Sequence, residues 1–247
     1  MSMDLPPKLW LPPKPAIIRP APVKTANFLP GMFPAIFSAA GEAFDVSFLT
    51  SGTNLSNLST YTFSSVSVGA ESATRRIFVT ISTAISGTLS VASVTILGVS
   101  ASAVVGATAA SNSRLAAIWS AAVPTGTSGD IVINLNGSPT DCFMGAYRMV
   151  AGAAAATDTF QDSGSSEGTR NGTIDVPGNG VIIGVNTGGG SSSSIWTTLT
   201  ENYDLSVGNA SPGSGALYLN PTGSTETNKA FSNNASRALA AVSWAPA

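Results

Sequence analysis

The sequence predicts an all-β protein: an antiparallel, jelly-roll-like β-sandwich preceded by an extended, proline-rich N-terminal arm. Three observations carry this. Nine of the fifteen prolines fall in the first 34 residues. From about Phe44 prolines become rare, and short β-rich runs alternate with Gly, Ser, Thr and Asn clusters. No convincing amphipathic helical period appears, and many short strands with Gly-rich turns read as a sandwich. The expected boundaries are 1–40 for the arm and 41–247 for the sandwich body.

Residues 5–22 are expected to be extended, because proline fixes φ and pushes the residue before it out of the helical region. As polyproline II they would reach roughly 55 Å at about 3.1 Å per residue. Between the prolines stand Leu9, Trp10, Leu11, Ile17 and Ile18, with Arg19 beside them. The stretch FLPGMFPAIF (Phe28–Phe37) follows, an apolar knot that includes Phe28 and Phe33. These apolar groups cannot form a core of their own, so they are read as anchors for a partner surface. Charge divides the same way. Residues 1–34 carry Lys8, Lys14, Arg19 and Lys24 against Asp4 alone, and the rest of the chain carries seven basic and twelve acidic residues. A basic arm on an acidic body argues against a nucleic-acid-binding body and suits an arm that meets an acidic surface.

In the body, RRIFVTIST (Arg75–Thr83) alternates: Ile77, Val79 and Ile81 face one way, and Arg76, Phe78, Thr80 and Ser82 the other. Further strands are expected at FDVSFL, TYTFSSVSV, VASVTILGV, RLAAIWSAAV, DIVINLN, CFMGAYRMV, TIDV, GVIIGVN, IWTTL, YDLSV, ALYLN and ALAAVSW. Turn signals stand at Pro124–Gly126, Asn136–Gly137 and Pro177–Gly180. Asn171–Gly172 is expected to be a type I′ hairpin turn, which needs positive φ at both positions. Ser163–Gly172 and Thr187–Ser194 read as exposed low-complexity loops, and Met149–Thr157 as a loop or a single turn.

The chemistry available is narrow. Without histidine, Ser–His–Asp and Cys–His arrangements and His-containing metal sites are excluded. The lone Cys142 forms no intrachain disulfide and reads as a buried thiol. Carboxylates remain: Asp158 with Asp162, Glu201 with Asp204, and Asp141. They read as solvated surface acids, so no enzyme activity, cofactor or metal is expected. Gly178, Gly180 and Gly184 imitate a dinucleotide fingerprint, but the spacing is one residue too long and a strand follows. No window of about 18–20 unbroken apolar residues exists, and neither a membrane span nor a secretory signal is expected. Trp196 and Tyr203 near the TGGGSSSS loop are candidates for stacking on a sugar, with core packing as the alternative. Trp119 and Trp244 read as core.

The opening LWLPPKPAIIRPA, the following FLPGMFPA and the closing SWAPA together resemble a group of uncharacterised proteins from tailed bacteriophages and prophages of proteobacteria, especially alphaproteobacteria. The body matches more loosely, through WTTLTENYD. The resemblance implies a virion structural protein and brings no catalytic residues or ligand. On it rests the expectation of a virion location, with a head decoration or cement role first and a neck, tail or fibre-attachment role second. A carbohydrate-binding adhesin at a tail tip is the alternative of a different class. The expected partners are other virion proteins (major capsid, neck or tail), copies of the same chain, and host polysaccharide as a candidate.

Overall fold

The computed structural model describes residues 41–84, 89–108, 114–189, 193–206 and 213–247. The arm and the docking candidates Leu9, Trp10, Leu11, Ile17, Ile18, Arg19, Phe28 and Phe33 lie outside the described residues. Among the described residues every element is a strand, and the sheets are antiparallel.

The first nine strands are β1 (Asp45–Asn54), β2 (Thr60–Ser67), β3 (Arg76–Ala84), β4 (Val91–Ile96), β5 (Val99–Ser100), β6 (Ser102–Thr108), β7 (Arg114–Ala122), β8 (Ser128–Leu135) and β9 (Asp141–Val150). They form a central sheet of order β1-β9-β3-β7-β6 and an outer sheet of order β2-β8-β4-β5. Apart from β6, this is jelly-roll order: the chain crosses between two sheets, and sequence neighbours become facing strands. The alternation in β3 explains the packing. Ile77, Val79 and Ile81 meet Tyr61, Val94, Ile96, Ile131 and Ile133 of the outer sheet. Each such aliphatic side chain contributes about 1.5–3 kcal/mol by leaving water.

The other face of β3 is buried too: Phe78, Thr80 and Ser82 have no exposure. A third sheet covers it. This sheet is made wholly of later strands: β10 (Asp158–Val176), β11 (Val181–Thr187), β12 (Trp196–Thr197), β13 (Thr200–Leu205), β14 (Gly213–Leu219) and β15 (Glu226–Trp244). Its order is β10-β15-β11-β14-β13, with β12 added to β15. Val181, Ile183 and Val185 of β11 and Ala238, Ala240 and Val242 of β15 pack on Phe78, Ile118, Tyr147 and Met149 of the central sheet. The body is therefore a jelly-roll sandwich over 45–150 with a third sheet on its back, and the central sheet is covered on both faces.

The third sheet is curled. β10 and β15 each run for 19 residues and pair with irregularities at Ser163/Gly168 and Gly168/Arg170. A straight strand at about 3.3 Å per residue would hold Phe160 and Gly172 roughly 40 Å apart. Yet a Cβ built on Gly172 would lie 2.9 Å from Phe160 Cε1, and the Asp158 carboxylate accepts the Asp175 N–H at 3.0 Å. The β10–β15 ribbon is thus folded in half, with the two halves of β10 side by side. The fold encloses a further apolar cluster that includes Ile174, Val176, Ile182, Trp196, Leu199, Phe231 and Leu239.

Two sequence expectations change here. Asn171–Gly172 is not a hairpin turn: the two residues sit in β10 opposite Ser232 and Phe231, and neither has positive φ. The polar stretch Ser163–Gly172 is strand rather than exposed loop, and the ribbon reverses where its register breaks, upstream of Asn171. Short polar residues there leave the strand to be specified by backbone pairing, which carries no apolar period. The turn signals at 124–126, 136–137 and 177–180 do fall between strands, and residues 151–157 form no strand before β10 begins.

Candidate functional site

Trp196 and Tyr203 are only 8% and 6% exposed. The Trp196 indole N–H donates to Ser214 Oγ at 2.9 Å, inside the curled sheet. The Tyr203 hydroxyl lies 2.9 Å from Thr80 Oγ1. Its ring is clamped between two strands: a Cβ on Gly145 or on Gly215 would overlap Tyr203 Cε1. Phe48 stacks on the ring from β1 at 5.9 Å between centroids. Neither side chain offers a ring face to a surface ligand, and the core-packing alternative describes both. Trp244 is core, held by an indole N–H to Ala153 O at 2.6 Å, whereas Trp119 is half-buried against the sandwich core. Cys142 is buried, and burial pushes its thiol far above the usual range.

The carboxylates are mostly occupied locally. Asp141 is buried and accepts the Ala84 N–H at 2.8 Å. Asp158 accepts the N–H groups of Thr159 and Asp175. Asp162 accepts the Ser163 N–H and stands 3.9 Å from Arg170. Glu201 and Asp204 do come together. Cross-strand partners share a face, so the register aligns Asp204, Ser214 and Asn186 in one row, with Glu201 beside it opposite Ala216. Asp204 Oδ2 accepts the Ser193 hydroxyl at 2.7 Å and the Ser194 N–H at 2.9 Å, while Asn186 Nδ2 donates to Ser194 Oγ at 2.8 Å. Burial, and then the Asp204 charge, push the Glu201 carboxyl up to about 7. Asp204 holds the serine loop through Oδ2, while its Oδ1 is buried without a hydrogen-bond partner. Among the described residues no three His, Cys, Asp or Glu side chains gather as a metal site.

Sequence reasoning missed two clefts. One, of about 610 Å³, opens between the edge strands β1 and β2, where Phe63 lies over Gly52. The other, of about 340 Å³, lies where the folded ribbon meets the β12 turn. Phe160 and Phe231 meet edge to face there, with centroids 5.3 Å apart. Asn171, Thr173, Thr197 and Thr198 surround them, and no charged side chain lines the cleft. Thr198 has φ 77°, a left-handed conformation that a β-branched residue rarely takes. The signal in the sequence was the position of WTTLT after a Ser-rich loop; the threonines, and not the tryptophan, reach the surface.

Fold and site together define a jelly-roll-based all-β protein with neutral clefts. No family model, curated protein or solved structure matches the chain.

Proposed function

We propose that the chain is a virion structural protein of a tailed bacteriophage: the N-terminal arm docks on the particle, and the β body is displayed outside as a head decoration or cement protein. The observation that carries this reading is the change of character near residue 40. A basic stretch of prolines and large apolar residues precedes a body in which charge is scarce and the acids are mostly tied to nearby backbone. Apolar groups between prolines cannot bury one another in a helix, so a partner surface must supply their core. Proline also lowers the entropy lost on docking. The jelly-roll order supports the reading as a fold common in capsid proteins, though the same fold serves lectins and does not by itself define function. Gel densitometry of purified particles tests it. A decoration protein appears in many copies per particle, and a labelled chain images over the head. A few copies at one vertex or the tail would move the reading to a neck, tail or fibre-attachment role, and absence from particles would overturn it.

A further inference from the structure

We propose that the cleft beside the β12 turn is a binding site for a neutral saccharide. Its floor is the edge-to-face pair Phe160 and Phe231. Phe231 is buried, whereas Phe160 is half-buried and lines the opening. Gly172 makes room for this floor, because a Cβ there would lie 2.6 Å from Phe231 Cζ. Around it stand the exposed side chains of Asn171, Thr173, Thr197 and Thr198, none of which makes a hydrogen bond among the described residues. This sets the rim apart from the neighbouring row, where Asn186, Ser194, Ser214 and Asp204 are bonded to one another or to Trp196.

The chemistry of the lining selects the ligand. A charged ligand would lose water with no opposite charge to meet it. A purely apolar ligand would leave four polar side chains dehydrated without partners. A sugar ring carries an apolar C–H face for an aromatic floor and hydroxyls that both donate and accept, as threonine hydroxyls and an asparagine amide also do between them. About 340 Å³ falls at the small end of ligand clefts and suits a short saccharide segment. The left-handed Thr198 holds the rim in a conformation that local preference would not choose, as is common where a ligand is gripped. This inference is independent of the virion reading.

The test is an NMR titration of the full chain with glucose, galactose, mannose, N-acetylglucosamine and their di- and trisaccharides, with glucuronic and galacturonic acid as charged controls. At least one neutral sugar is expected to produce saturable shifts at the Gly172, Thr197, Thr198 and Ser232 amides, with no tighter binding of the acids. Phe160→Ala should weaken binding about tenfold or more, as loss of an aromatic anchor does. Thr197→Val keeps the shape and removes one hydroxyl, for a loss of about fivefold. If Phe160→Ala loses its amide dispersion, Thr197→Val carries the test. No saturable shifts with any neutral sugar, shifts that map elsewhere, or unchanged affinity in a folded variant would overturn the proposal. Copy number on particles is read separately, so failure here leaves the virion reading untouched.

Discussion

At the scale of single residues, Arg75 is the largest fully buried side chain among the described residues. It is 1% exposed, and its guanidinium donates only to backbone carbonyls. Nε meets Val123 O at 2.6 Å, Nη1 meets Gly69 O and Ala70 O at 2.8 Å, and Nη2 meets Thr125 O at 2.9 Å and Gly126 O at 2.6 Å. One planar fork thereby ties the β2–β3 connection to the β7–β8 connection. Lysine has three donors at a single point and cannot span these acceptors, so Arg75→Lys should cost about 3 kcal/mol in urea unfolding; a loss below about 1 kcal/mol would show the fork to be dispensable. Tyr203 works by shape. Gly145→Ala or Gly215→Ala should each cost about 1–3 kcal/mol through overpacking against its ring, measured as a lower melting temperature. Glu201 gives a pH signature. Its folded pKa of about 7 lies above the unfolded value, so the folded state keeps a proton that the unfolded chain releases. Stability from this group is intact at pH 4 and falls as pH rises through about 4.3 to 7. Glu201 is on an exposed edge strand, so the full shift is discounted for solvent screening. Glu201→Gln should then stabilise by about 1 kcal/mol at pH 8 and by nothing at pH 4. With no histidine in the chain, this window is otherwise quiet for ordinary side-chain titration. Equal gains at both pH values would refute the assignment.

At the scale of elements, burial sorts the strands. β11 is buried at every position and β3 at eight of nine, whereas β5 is exposed at both of its residues. Amide exchange should follow: slowest in β3 and β11, near the global opening, and fastest in β5 and the sheet edges. Protection of β5 equal to that of β3 would contradict this order. The same contrast explains what the sequence could reveal. Runs such as RRIFVTIST and GVIIGVN announce strands because packing on one or both faces demands apolar residues at period two. The Ser163–Arg170 part of β10 is exposed or half-buried Ser, Gly and Thr with Glu167 and Arg170 among them, and its strand character comes from pairing with a segment some 70 residues later. No local pattern encodes such a partner. For the same reason the sequence points to Trp196 and Tyr203 as sugar-stacking candidates, whereas Phe160 and Phe231 lie 71 positions apart and meet only because the ribbon folds.

At the scale of the whole molecule, the arm and the body are expected to be separable. Removing residues 1–34 should leave a cooperative melting transition and abolish particle binding; loss of cooperative folding, or unchanged binding, would sink that division. Within the arm, Trp10→Ala in a monomeric arm peptide should weaken competition by roughly thirtyfold, the effect of about 2 kcal/mol at an interface centre. The three-sheet body was not legible as such. Alternating strands predict a sandwich, but one sandwich and one sandwich with a further sheet behind it differ only in whether the second face of β3 is covered. Thr80 and Ser82 on that face give no apolar signal of burial, yet Thr80 Oγ1 meets the Tyr203 hydroxyl and Ser82 donates to the Asn186 carbonyl.

The way the sheets divide along the chain has a consequence for synthesis. The central and outer sheets close once Val150 has been made, whereas β11 has no partner until β14 has followed and β10 has none until β15. A nascent chain can therefore complete the jelly roll while the back of its central sheet, with Phe78, Ile118, Tyr147 and Met149, is still bare. Until the third sheet arrives, that face is the sticky surface of the growing protein, open to a chaperone or to the same face of another nascent chain. Ribosomes that stall between Val150 and Trp244 should yield an aggregation-prone species, because the cover of that face is completed only by the last strand.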